Sequence, residues 1–205
     1  MTHAQSINGA LRRVPAWPVY FIGVIPAFWF LYLGLTGGLG AEPIKALEQE
    51  LGRFALKLLI AVLAITPVRK ITGVSLIKYR RALGLLVVFY ISMHLTVWLI
   101  LDVQNFGRIW ADIMKRPYIT IGMTAFTLMI PLAITSNNWS VRKMGPMGWK
   151  RLHWLVYLVI VLGATHFVLI RKGWQIEPLI YFCIALALLA VRLKWKQRRA
   201  AAHVG

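Results

Sequence analysis

Residues 150–170 read KRLHWLVYLVIVLGATHFVLI. A membrane helix needs about 20 mostly apolar residues, at about 1.5 Å rise each, to cross a hydrocarbon core of about 30 Å. This stretch is long enough, and it holds two histidines, His153 and His166. Residues 80–102, RRALGLLVVFYISMHLTVWLILD, form a second run of the same kind and hold His94. An imidazole is costly in hydrocarbon and within a bilayer usually faces the protein interior, where it serves a function.

The composition excludes an ordinary soluble domain. Of 205 residues, 59% are hydrophobic and 15% charged, too little polar surface to cover a water-exposed globule. The net charge of +18 raises nucleic acid as a partner. The basic residues, however, sit in short clusters between apolar runs, which is the pattern of membrane topology, so no nucleic acid is expected. The single cysteine, Cys183, lies in an apolar run and is read as a small buried or lipid-facing side chain. Arg12 and Arg13 precede a run from Pro18 to Leu35 that is too long for a signal-peptide core, so an uncleaved first span is expected.

Six stretches qualify as spans: 18–36, 51–68, 82–101, 118–135, 152–170 and 178–194. The fold class is therefore an all-α integral membrane protein, a bundle of six transmembrane helices. Residues 1–17 form an N-terminal tail, 18–194 the bundle and 195–205 a basic tail. Sixteen of the 24 basic residues fall in the N-terminus, the 2–3 loop, the 4–5 loop and the C-terminus. Those segments share one side, read as cytoplasmic, so both termini are inside. All six acids fall on the other side. The loops are too short for a nucleotide-binding domain, and no Gly-rich phosphate fingerprint follows a strand pattern. Tryptophans 17, 110, 139, 149, 174 and 195 sit near span ends, as in an interfacial belt.

Depth gives the histidines meaning. His94 lies 13 residues beyond Arg81, about 20 Å into span three. His166 lies 15 residues beyond Arg151, about 22 Å into span five. Two imidazoles at one level on facing helices can supply both axial ligands of a haem iron. His153 lies about 20 Å along the helix from His166 and suits a second redox site, but ideal helix geometry turns it about 140° away. Gly163 and Gly84 could let a flat macrocycle approach the backbone. Arg53 and Lys57, four apart in span two, could pair with haem propionates or the head of a quinone or flavin, or snorkel to the interface. Arg80, Arg81 and Arg151 could serve propionates at the inner end. Asp102 could orient His94 or cap the span, and Met93 points away from the same iron. The rival reading is a proton-coupled transporter or channel built on the same histidines. It needs buried acids mid-span, and the six acids sit at the outer side.

The segments RRALGLLVVFYISMHLTVWLILD, KRPYITIGMTAFTLMIPLAITS and GWKRLHWLVYLVIVLGATH together resemble the MsrQ (YedZ) family, the haem-binding membrane subunits of the bacterial protein-methionine-sulfoxide reductase system. The resemblance covers roughly residues 10–195. More broadly the chain is similar to the transmembrane domain of ferric reductases and NADPH oxidases. The resemblance implies a multi-pass cytochrome b of the bacterial inner membrane, holding one or two b-type haems through His94, His166 and His153, with FMN as an associated flavin. It implies electron flow from the quinone pool, or from a cytosolic flavin reductase, to a periplasmic molybdopterin partner, MsrP, which reduces methionine sulfoxide in proteins. Catalysis on that substrate would belong to the partner. The oxidase relatives carry paired histidines on both ligand helices, whereas the inner position of span three is arginine here. They also carry a C-terminal flavin and nicotinamide domain, which has no counterpart in this sequence, so the donor is a separate molecule.

Overall fold

The computed structural model describes residues 3–170 and 175–201, with side chains described to residue 193. Within these residues the chain is helical throughout, with no strand. An N-terminal helix, α1 (His3–Arg13), precedes the first span, α2 (Trp17–Leu35). The second span, α3 (Pro43–Thr72), is longer than the expected 51–68. Pro43 starts it at a position where a missing N–H costs nothing, and Gly73, at φ +75°, ends it. The extension brings Glu48 and Glu50 into the helix.

After a 3₁₀ turn (Ile77–Tyr79), span three runs as α4 (Arg80–Thr96) and continues as a π-helical segment, Val97–Val103. The 3–4 connection holds a short amphipathic helix, α5 (Phe106–Lys115), where the sequence suggested only a loop. Its Phe106, Trp110 and Met114, four apart, form an exposed apolar stripe. Span four is α6 (Pro117–Ile134). Thr135, Ser136 and Asn137 then turn their side chains back onto the carbonyls of Pro131, Leu132 and Ile134 and close it.

Span five departs most from expectation. Residues 138–152 form α7 (Asn138–Leu152), kinked at Gly145, where φ is +71°. The span proper is α8 (Leu155–Ile170), bent by 41° from α7 across a break at His153–Trp154. Five spans are each a single helix long and apolar enough to cross a membrane, and the bent pair makes a sixth. The last is the apolar part of α9 (Ile176–Ala201). The chain is a multi-pass membrane protein.

The packing is that of a bundle immersed in lipid. Buried alanines (Ala27, Ala55, Ala82, Ala125, Ala164, Ala185) let the backbones approach closely. Large apolar side chains point outward instead, as with Phe21, Ile25, Phe28 and Trp29 on α2. Cys183 is exposed and unpaired. The N-terminal segment is fastened to the 2–3 loop. Lys78 donates to the carbonyls of Arg12 and Val14, Tyr79 to those of Leu11 and Val14, and Asn8 bridges Gly73 and Ser75. Two segments assigned to one membrane side by charge are thus in contact. Trp174 and His203 lie outside the described residues, as do the side chains of Lys194, Trp195, Lys196, Arg198 and Arg199.

Candidate functional site

His94 on α4 and His166 on α8 meet inside the bundle. Their ring centroids are 6.3 Å apart and their planes lie at 84°. Each ring is fixed in the same way. Nδ1 of His94 lies 2.8 Å from the Glu48 carbonyl on α3, and Nδ1 of His166 lies 2.6 Å from the Tyr118 carbonyl on α6. A carbonyl only accepts, so Nδ1 carries the proton in both rings and Nε2 keeps its lone pair.

Both acceptors are helix carbonyls, and both stand four residues before a glycine, Gly52 and Gly122. A Cβ at Gly52 would come within 3.1 Å of His94 Nδ1, and one at Gly122 within 2.8 Å of His166 Nδ1. The missing side chain lets each ring reach a carbonyl that already serves its own helix. These glycines, with Glu48 and Tyr118, are the site residues sequence reasoning missed. The signal was faint: a glycine, and a residue four before it, on the helices flanking each histidine helix.

Both rings line a cavity of about 300 Å³, at the lower limit of the roughly 300–1,000 Å³ usual for cofactor pockets. Gly163, Phe126 and Phe167 contribute apolar wall, while Glu48, Arg53, Asp102 and Arg116 contribute polar groups. A Cβ at Gly163 would meet no protein atom, so that face of the cavity is open. One ion held by both rings, at about 2 Å from each nitrogen and about 1 Å more to each ring centre, needs centroids about 6 Å apart. Among the described residues no cluster of three or more His, Cys, Asp or Glu side chains could hold a metal by itself. A two-imidazole site therefore suits a metal that brings its other ligands with it, as haem iron does. The residues present fit the group.

The remaining candidates separate. Arg53 lines the cavity, but its guanidinium is engaged with Glu50 at 2.9 Å and Glu177 at 3.3 Å. Lys57 is exposed and outside the cavity, although it lies one turn on. Asp102 lines the cavity, but the group that orients His94 is the Glu48 carbonyl; the Glu48 carboxylate also stands 4.0 Å from His94 Nε2. Met93 packs into the apolar cluster of α2, α3 and α4. Gly84 lies outside the cavity.

His153 sits at the break between α7 and α8. Its Nε2 is 3.1 Å from the Thr135 hydroxyl, and its ring stacks on Trp149 at 3.8 Å. Trp149 in turn donates to the Thr135 carbonyl. Arg81 and Arg151 are exposed, whereas Arg80 is half-buried and bonds Thr66. The structure thus brings together His94, His166 and Arg53, and leaves His153, Lys57, Arg80, Arg81 and Arg151 elsewhere.

Comparison with known proteins agrees with this architecture. Residues 51–164 match the family described as ferric reductase like transmembrane component. The chain is 51% identical over 178 residues to the protein-methionine-sulfoxide reductase heme-binding subunits MsrQ of Brucella ovis, Brucella canis and Brucella suis. The aligned region covers 86% of this chain and 80% of each relative. No solved structure gives a significant match. With more than half of the chain matched by one family and four-fifths of each relative aligned, the chain belongs to the MsrQ family of membrane subunits and carries a ferric-reductase-like transmembrane domain.

Proposed function

We propose that this chain is the haem-binding, electron-transferring membrane subunit of a methionine-sulfoxide reductase system. His94 and His166 would hold one b-type haem through their Nε2 atoms. The observation that carries the reading is the pair of rings 6.3 Å apart, each held through Nδ1 by a backbone carbonyl, with Nε2 left as the donor nitrogen. Bound there, haem would supply a one-electron carrier whose potential the protein would set through the residues that hold it and through burial.

The chain's own residues do the positioning. The Glu48 and Tyr118 carbonyls fix the tautomers, and Gly52 and Gly122 fix how far each ring retreats. Phe126 and Phe167 give the cavity apolar wall, and Gly163 leaves space beside it that a side chain would fill. Arg116, an exposed lining residue, has one carboxylate partner, Asp112, where Arg53 has two, and is the cation better placed for a propionate. We place the basic loops and both termini in the cytoplasm of a bacterium and the cavity toward the periplasm. Electrons would then pass from a quinone or a separate flavin reductase outward to a molybdopterin partner of the MsrP kind. Described geometry supports a single haem, because the Nε2 of His153 is already bonded to Thr135.

The test is an oxidised and dithionite-reduced spectrum of the purified protein, with haem quantified per chain. Wild type should show low-spin b-type bands. His94→Ala and His166→Ala should each abolish them, and intact bands in both variants would remove the ligand assignment. A preparation that stays colourless after expression with haem would return the chain to the transporter reading.

A further inference from the structure

The end of the bundle opposite the histidine cavity holds two arginines without a counter-ion among the described residues. Arg80, first residue of α4, donates through Nη2 to the Thr66 hydroxyl at 2.6 Å. Arg192, on α9, donates through Nη1 to the Tyr157 hydroxyl at 3.0 Å and through Nη2 to the Leu63 carbonyl at 2.5 Å. That carbonyl is available because Pro67, four residues on, has no N–H to give it. Leu63 and Thr66 are three apart on α3, so they share a face and draw both guanidiniums to one patch. Arg80 lies within electrostatic reach of Arg192 and of Arg69.

Charge accounting leaves this patch unbalanced. All six acids of the chain lie among the described residues. Glu42, Glu50, Asp112 and Glu177 are paired with Lys45, Arg53, Arg116 and Arg53. Glu48 and Asp102 line the histidine cavity. No carboxylate side chain remains for Arg80 or Arg192, and the buried Nε of each has no hydrogen-bond partner among the described residues. An arginine does not shed its proton, so burial cannot be relieved by neutralisation. Half-buried charges within a membrane bundle ordinarily pair.

We infer that Arg80 and Arg192 form a binding site for a phosphate group, either the headgroup of an anionic lipid or a soluble phosphate ester. Each guanidinium carries five N–H donors, of which the protein takes one from Arg80 and two from Arg192, and arginine forks are the usual partners of phosphate oxygens. Both sources can reach this end of the spans, where membrane meets water. The site is separate from the histidine cavity and does not depend on haem being there.

The test uses the full-length protein, delipidated in a neutral detergent, and reads its melting temperature. One arm adds phosphatidylglycerol against phosphatidylcholine; the other adds inorganic phosphate against chloride at matched ionic strength. Wild type should gain several degrees in one arm, which identifies the source. Arg80→Gln and Arg192→Gln should each lose at least half of the gain, while Arg81→Gln, an exposed neighbour, should keep it. Should the glutamine variants fail to fold, Arg192→Lys keeps the charge but loses the fork, and its half-saturating concentration should be roughly tenfold higher. No gain in either arm, or equal gains in wild type and every variant, would overturn the site.

Discussion

Gly122 stands directly behind the His166 ring, as Gly52 stands behind His94; a Cβ at Gly122 would lie 2.8 Å from Nδ1, and one at Gly52 3.1 Å. The two histidines are thus placed by what their neighbours lack. The ring cannot retreat, because backbone lies behind it, and it cannot rotate without losing its carbonyl.

Gly122→Ala should therefore displace His166 and lower haem per chain, at an overpacking cost of about 1–3 kcal/mol. Gly52→Ala should do the same to a smaller degree, since its closest approach is longer. Gly84→Ala, outside the cavity and with open space around it, should leave haem content unchanged. Haem quantification on the three variants checks the ranking; equal content in all three would show that the rings tolerate displacement.

Gly163 offers a different test. A methyl there meets no protein atom but enters the cavity wall. Gly163→Ala should fold as well as wild type while binding haem less completely. The paired measurement is melting temperature of the haem-free protein and haem occupancy after reconstitution.

His153→Ala should retain the full haem content of wild type. It should lose the hydrogen bond to Thr135, worth about 1 kcal/mol, and the stacking on Trp149. Haem per chain that falls by half would instead assign a second haem to His153.

Tyr90 is fully buried and donates to the Gly23 carbonyl at 2.6 Å, tying α4 to α2. Tyr90→Phe should cost about 1 kcal/mol of stability with no spectral change. A shifted haem spectrum would mean that this contact also shapes the histidine cavity.

Pro67 and Arg192 should be coupled. Pro67→Ala restores an N–H that competes for the Leu63 carbonyl, so Arg192→Gln should cost less in that background. A double-mutant cycle should give a coupling of about 0.5–1.5 kcal/mol. Strict additivity would show that Arg192 does not depend on the proline.

Much of this protein could be read along the chain. Hydropathy gave the spans, because a bilayer demands a minimum apolar length whatever the packing. The depth of His94 and His166 followed from counting helix rise, and the two rings do meet. What counting could not reach was set by contacts between distant residues. The start of α8 depended on Trp149, Thr135 and His153 closing a break that an ideal helix does not contain. The separation of Arg53 from Lys57 depended on Glu50 and on Glu177 from the opposite end of the sequence. The partners of the histidines are a backbone carbonyl and an absent side chain on other helices, and the pairing of Arg192 with Leu63 spans 129 residues. Sequence by itself determined the membrane, the spans and the level of the histidines, since those depend on length and hydrophobicity. Tertiary structure alone decided which nitrogen is free, which arginines are already paired and which are left without a counter-ion, since hydrogen bonds and ion pairs are settled over a few ångströms between helices that the chain order keeps apart.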